Sequence, residues 1–341
     1  MATRVLIACA LLALCIAAPA AAQSLDGSSL GLRPGLVLVE ADESPHGDVE
    51  AIYRIDSVSP AGIGISVSTA RLSVRRFVRA IDLEYAHRCL CAWSADEPQI
   101  YPGATADSAS ASVLDDLQAD GSTLFVDMWP SAQRPTGRSF AIGQSAATLR
   151  LMKSPASVSL LVDDKLVDVP VVHARGVAAD AALDFYWLKQ RQFPLLLHGS
   201  VGSGGGWIVK AYTPSVSLAP VLEQSLAAEK PATLYGIFFI AHGAWLRPES
   251  FPALDALAAV LRRQPSWRVQ LAMHTDEADG WDASLRLSQL RAHVIGQYLE
   301  QHDGIAAARL RLIGSGAAQS IGDNDTVSGR ALNRRLVVTR F

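Results

Sequence analysis

Cysteine is nearly missing from this 341-residue chain: four are present, and two of them, Cys9 and Cys15, fall in the opening apolar run. A small disulfide-stapled scaffold is thereby excluded. Long apolar runs are scarce as well. After "VLIACALLALCIAAPA" no stretch approaches the roughly 20 apolar residues that a membrane helix needs, so no transmembrane helix is expected in the mature chain. Basic excess is absent: 30 Lys and Arg face 33 Asp and Glu, a net charge of -3. Nucleic acid is therefore not an expected partner, because duplex binding depends on clustered cations. Aromatic residues make up 7% of the chain, too few for the interfacial girdles of a membrane barrel. The glycine run "GSVGSGGGW" lacks the lysine and following helix of a phosphate loop and reads as a hairpin turn.

What is present begins with an export signal. Arg4 gives residues 1–22 a positive start, an apolar region follows, and Ala20, Ala21 and Ala22 supply a small-residue cleavage site before Gln23. Leu14 precedes Cys15, where a lipoprotein signal needs a small residue, so soluble export is expected. In "HRCLCAW", His87, Cys89 and Cys91 alternate, and an extended strand would turn all three to one face like a soft-metal site. No fourth ligand accompanies them, so buried thiols or a tightly bent local disulfide are expected and no metal is assigned.

The mature chain has two grammars. From residue 30 to 213, short alternating runs such as "GLVLVEA", "GIGISVST" and "STLFVDMW" are broken by turn residues, which predicts an all-β sandwich or barrel-like soluble domain. Residues 214–230 read as a linker. From 231 to 341 strands alternate with helices: "TLYGIFFI", "WRVQLAM", "ARLRLIG" and "RRLVVTRF" as strands, "RPESFPALDALAAVLRR" and about Ser284 to His302 as helices. This β-α-β-α-β-β order predicts helices packed on a small mixed sheet, making the whole chain α+β.

"LAMHTDEADG" (271–280) runs an apolar strand into a histidine and three carboxylates. On a wheel of 100 degrees per residue, the following helix places Leu287, Val294 and Tyr298 on one stripe, with Leu290 and Ile295 flanking it. Arg291 falls inside that stripe, away from Gln289, His293 and Glu300. A guanidinium there needs a carboxylate or a route to solvent, and Asp276 and Asp279 leave the neighbouring strand at the same end. Either these groups form a structural ion pair, or the arginine snorkels, or one fixed anion and one fixed cation hold a zwitterion. His274 has no second metal ligand or nucleophile at suitable spacing, which disfavours catalysis.

The blocks "HTD", "LSQLRA", "RLRLIGSG" and "NDTVSGRALNRR" together resemble the OmpA-like peptidoglycan-binding domain family, over roughly residues 230 to 341. The resemblance implies a domain that grips the diaminopimelate stem peptide of peptidoglycan without cleaving it, with no cofactor and no metal. It places the ligand's acid partner at Asp276 and its arginine at Arg291, with Thr275 and Ser284 completing the expected ligand-binding set. Asn333, Arg334, Arg335 and Arg330 are implied to be structural, tying the last strand to its neighbours. The chain departs from the family pattern at Ile240, Met273, Asp279 and Ser284; Asp279 adds negative charge, and Ser284 makes fewer hydrogen bonds than the usual asparagine.

The expectation is a periplasmic, cell-wall-associated protein at the outer membrane, not an enzyme, whose N-terminal half contacts another envelope protein. Its rivals are an OmpA-like domain that has lost its ligand and serves as a protein-interaction module, a wall hydrolase using His274 and Asp276, and an outer-membrane barrel with a periplasmic tail.

Overall fold

The computed structural model describes residues 23–24, 30–42, 48–69, 72–90, 99–127, 146–163, 165–178, 181–202, 204–212, 218–240, 243–277 and 280–341. The expected signal peptide, Cys91 and Asp279 lie outside them. No helix among the described residues is long and apolar enough to cross a membrane.

The N-terminal half starts with strands β1 (Gln23–Ser24), β2 (Val37–Asp42), β3 (Val49–Ser59), β4 (Gly62–Ser68) and β5 (Ser73–Arg79), then helix α1 (Ala80–Tyr85) and β6 (Arg88–Cys89). Helix α2 (Ala111–Asp120) is followed by β7 (Ser122–Asp127), β8 (Ala146–Leu151), β9 (Ser157–Val162), β10 (Lys165–Ala178), β11 (Ala181–Leu188), β12 (Leu196–Val201) and β13 (Gly204–Tyr212). These strands run in the order β5-β4-β3-β2-β13-β12-β11-β10-β8-β7-β6, and β9 pairs with both β10 and β13. The path from β10 to β13 therefore closes on itself through β9, which gives the half its barrel-like character.

Two helices depart from the all-β expectation. Helix α1 continues directly from β5 inside the run "RLSVRRFVRAIDLEY". Helix α2 forms in the polar stretch before β7, started by Ser110, whose hydroxyl accepts from the Val113 amide, and ended at Gly121 with φ of 72°. Left-handed φ at that position suits glycine. The hairpin expected at the glycine run is formed, with β12 and β13 paired from Val201 and Gly204 outward.

Strand β2 is buried on both faces because its neighbours differ on each side. Leu38 packs inward with Tyr53, Ile55 and Ile63. Val37, Val39 and Ala41 face the other way and join Ile52, Val209, Phe238, Val327 and Ala331 in a second apolar cluster. The last three belong to the C-terminal half, so the two halves share a core.

In the C-terminal half, helix α3 (Leu218–Ala227) occupies part of the stretch expected to link the halves, and its Leu222 and Leu226 are buried. Then come β14 (Ala232–Leu234), α4 (Phe251–Arg263), β15 (Val269–His274), α5 (Trp281–Gln301), β16 (Leu310–Gly316), α6 (Val327–Asn333) and β17 (Arg335–Arg340). The sheet order is β14-β17-β15-β16, antiparallel except for the β15–β16 pair. The mixed sheet is as expected, and α6 is an added helix between the last two strands. Leu254, Leu257 and Leu261 of α4 are fully buried, in line with their spacing.

Helix α5 is rotated from the expected stripe. Its buried residues are Ser284, Ser288, Arg291, Ala292, Ile295, Gly296 and Leu299, whereas Leu290 is exposed. Small side chains bring α5 against β16: a Cβ on Gly314 would run into the Gln289 backbone, and one on Gly296 into Leu312. Ser288 suits this seam because its hydroxyl accepts the Gly316 amide at 2.8 Å and donates to the Leu285 carbonyl at 2.8 Å. Ser288→Ala should therefore cost about 1–3 kcal/mol in chemical denaturation, the range for a buried donor left without its acceptor. An unchanged midpoint would show that water replaces the hydroxyl.

Candidate functional site

Strand β15 ends at His274, and the chain leaves the sheet at the C-terminal end of this interior strand through Thr275 and Asp276. His274 is buried, and its Nδ1 contacts the Ala318 carbonyl at 2.9 Å. A carbonyl can only accept, so Nδ1 carries the proton. Burial, with Arg335 nearby, pushes the His274 pKa below its ordinary value, and the ring is neutral. Thr275 is held by its amide to the Gly316 carbonyl at 2.9 Å and by its hydroxyl to the Ser284 carbonyl at 3.4 Å. Ser284 Oγ in turn donates to the Asp276 carbonyl at 3.1 Å. Thr275, Asp276 and Ser284 are thus brought together at the start of α5.

Arg291 is buried, as its place on the helix wheel requires. Its Nε donates to the Gly243 carbonyl at 2.9 Å, and its guanidinium lies 4.6 Å from the centroid of the Phe239 ring. Stacking on an aromatic face lowers the cost of burying that charge. Among the described residues, Asp276 and Arg291 do not close an ion pair on each other. The departures fall in two environments: Met273 is buried in the core next to His274, and Ile240 is exposed.

The carboxylate of Asp276 is instead held by Arg334, Nη1 to Oδ2 at 2.6 Å. The same guanidinium reaches Asp48 Oδ2 at 2.8 Å, and its Nε donates to Glu50 Oε1 at 3.1 Å. Arg330 adds a second cation, with Nη2 2.9 Å from Asp48 Oδ1. Burial alone would push the Arg334 pKa down, but Glu50, Asp276 and Asp48 hold it above its ordinary value. Burial would likewise raise Glu50, yet Arg334 and Lys210 keep it below the usual carboxylate range. Close by, Arg247 donates to the Glu50 and Ser68 carbonyls, at 3.0 and 2.9 Å. This node joins strand β3 of one half to the end of α6 in the other.

Of the four residues implied to be structural, Asn333 and Arg335 act inside the C-terminal half. Asn333 accepts from the Ile321 and Gly322 amides, and Arg335 donates to the Gln319 carbonyl. Arg330 and Arg334 point across the boundary, a role that sequence did not supply. Its visible trace was Asp48 and Glu50, two acids spaced to share one side of a strand.

Cys89 is disulfide-bonded, which removes the thiolate that a soft metal would need. His87 Nδ1 contacts the Leu124 carbonyl at 2.9 Å. Elsewhere, Asp255, His302 and Asp303 place ligand-type atoms within 4.8 Å of one another, but Tyr298 already donates to Asp255 and Arg262 to Asp303.

Residues 238–334 match the OmpA family, so the C-terminal part of the chain is an OmpA family domain. Among curated relatives, "Probable lipoprotein YiaD" of Escherichia coli K12 is 36% identical over 103 residues, 30% of this chain and 47% of that protein. "Peptidoglycan-binding protein ArfA" of Mycobacterium bovis is 32% identical over 96 residues, 28% of this chain and 29% of that one. The chain thus spans less than half the length of these relatives. A solved structure, the cell wall anchor of the T6SS from Pseudomonas aeruginosa, aligns at 26% identity with a TM-score of 0.29, over 36% of this chain and 96% of that one.

Proposed function

We propose that the C-terminal domain docks noncovalently on peptidoglycan and holds the N-terminal half at the wall within the cell envelope. The observation that carries this is Arg291: a guanidinium buried on an otherwise uncharged helix face, in an OmpA family domain, at the motif position where the family resemblance expects an anion-binding arginine. The name of ArfA supports the same ligand class. In finer detail, Arg291 takes a carboxylate and Asp276 an ammonium of the diaminopimelate side chain, with Thr275 and Ser284 fixing the loop between them. Residues 231–341 then form the anchor, 214–230 the connection and 30–213 the part presented to another envelope protein in the periplasm.

Co-sedimentation with purified diaminopimelate-type sacculi tests this. Wild type should pellet, and Asp276→Ala and Arg291→Ala should each bind about 10- to 100-fold more weakly, the equivalent of one lost charge-assisted hydrogen bond of about 1.5–3 kcal/mol. Thermal unfolding of each variant is recorded alongside, because Asp276 also belongs to the Arg334 node. Both variants pelleting like wild type would sink the site assignment.

A second reading has its own support. Asp276 is already neutralised by Arg334, which suits a domain that has given up the wall and serves as a protein-interaction module. Failure of the wild type to pellet, with capture of a defined envelope partner through this domain, would favour it.

A further inference from the structure

The far end of helix α5 carries a second group of polar side chains, away from the loop at its start. Helices α4 and α5 meet there, and each supplies a pair at i and i+4 spacing: Phe251 and Asp255 on α4, Tyr298 on α5 with His302 at its end. Tyr298 orders the set. Its ring stacks on Phe251 at 4.9 Å and on His302 at 4.7 Å, and its hydroxyl donates to Asp255 Oδ1 at 3.0 Å. One side chain therefore positions both an imidazole and a carboxylate. Asp303 follows His302, and its Oδ1 lies 3.6 Å from His302 Nδ1. Asp255, His302 and Asp303 thus converge, with ligand-type atoms all within 4.8 Å of one another.

Asp303 is the member that the protein's own contacts leave incomplete. Its side chain is only 4% exposed, yet Oδ2 has no hydrogen-bond partner among the described residues. A buried carboxylate oxygen without a donor or a cation is costly and calls for an explanation. The neighbouring contacts do not supply one. Arg262, itself half exposed, reaches only Oδ1, at 3.3 Å, and the Tyr298 hydroxyl engages Asp255.

We propose that Asp255, His302 and Asp303 bind a divalent transition ion of the zinc type, with water in the fourth position. One imidazole and two carboxylates form a donor set that suits Zn²⁺, whereas Ca²⁺ and Mg²⁺ require a fuller shell of oxygens. Bonds of about 2.0–2.1 Å put tetrahedral ligand atoms about 3.4 Å apart, so the 3.6 Å pair from His302 to Asp303 needs little adjustment. Asp255 and His302 are exposed and can turn to close the remaining distance, while buried Asp303 is the fixed ligand. Tyr298 and Arg262 become outer partners of the ligating carboxylates, contacts of the kind that orient metal ligands. The ion pins the end of α5 to α4. The 21-residue length of α5, about 30 Å, separates it from the loop at Thr275 and Ser284, and the site does not rest on the wall-anchor reading.

The test is isothermal titration of the tag-free full chain, stripped with a chelator, with Zn²⁺ in a buffer that does not bind metal. Wild type should take up one ion per chain, and His302→Ala and Asp303→Asn should each bind at least tenfold more weakly. Asp303 is buried and its variant can lose stability, so exposed His302 carries the decision. His293→Ala removes another exposed histidine of α5 and should bind like wild type. Saturating Zn²⁺ should raise the melting temperature of wild type by several degrees, because an ion held only by the folded chain stabilises it. That shift should vanish in His302→Ala, and millimolar Ca²⁺ or Mg²⁺ should not reproduce it. Absence of saturable Zn²⁺ binding by wild type, unchanged affinity in His302→Ala, an equal loss in His293→Ala, or equal stabilisation by Ca²⁺ would overturn the proposal.

Discussion

Arg334→Ala should lower the unfolding free energy of the full chain by about 3–5 kcal/mol, the usual consequence of stripping the countercharge from buried ions. Three carboxylates, Asp48, Glu50 and Asp276, converge on that guanidinium within 3.1 Å, and the Asp48 side chain is only 2% exposed. Removing the cation leaves them facing one another with Arg330 and more distant charges as compensation. Arg334→Lys keeps the charge but not the fork that serves three acceptors in different directions, and should fall between wild type and alanine. The decisive companion is the neutralised variant Arg334→Met and Arg330→Met with Asp48→Asn, Glu50→Gln and Asp276→Asn, which leaves no charge of the node unpaired. It should recover most of the loss, because the penalty comes from unpaired buried charge and not from the pair itself. Equal melting temperatures for wild type and Arg334→Ala would show the node to be solvated and energetically idle. The acid limb offers a check: Glu50 titrates below its ordinary value, so its contribution is present above the unfolded pKa and is lost as the pH falls through the folded one.

Glu40→Gln should make the protein more stable on the alkaline side, by on the order of a few kcal/mol. Burial is the main cause that lifts the Glu40 carboxyl to about 8, with Asp42 and Asp107 adding to it and the Tyr53 hydroxyl opposing it. The Tyr53 hydroxyl donates to Glu40 Oε2 at 2.6 Å. With a native pKa above the unfolded value, the folded chain retains a proton that the unfolded chain releases. The stabilisation is fully present below about pH 4.5 and disappears as the pH rises through about 8. Glutamine keeps the carbonyl that Tyr53 uses and removes the titration. Denaturation midpoints of wild type should fall between pH 5 and 9 while those of the variant stay nearly level; parallel profiles would place the titrating group elsewhere. Gly206 belongs to the same arrangement, since a Cβ there would collide with the Asp42 and Glu40 carboxylates.

Periodicity revealed the C-terminal half well because its signals are local. Leu254, Leu257 and Leu261 repeat at helical spacing and are all buried, and Arg291 could be placed inside by geometry alone. Helix α5 shows where such reasoning stops. It weights large apolar residues, whereas the buried face is built from Ser284, Ser288, Ala292 and Gly296, chosen for close approach to β16 and for hydrogen bonds to its backbone. Helix α2 carried readable signs, a serine at its start and a glycine at its end, but they lay in a polar stretch of a half read as all-β. Thr275, Asp276 and Ser284 were legible as a cluster because the family motifs mark them. The partner of Asp276 was not, since nothing within a window of sequence links it to Arg334, and still less to Asp48 and Glu50 across the domain boundary.

Asp48 and Arg334 are 286 positions apart, and Val37 and Val39 meet Val327 and Ala331 over a comparable separation. Contacts so distant along the chain are among the last that folding can complete, since the intervening loop entropy must be overcome first. A newly made polypeptide therefore passes through a stage in which β2 and β3 are made while their outer face, with its valines and two acids, still awaits the final helix and strand. During that interval the acids act as gatekeepers, keeping an apolar sheet face from pairing with another chain. A version truncated before α6 would remain at that stage permanently, and its yield would be set by aggregation and proteolysis.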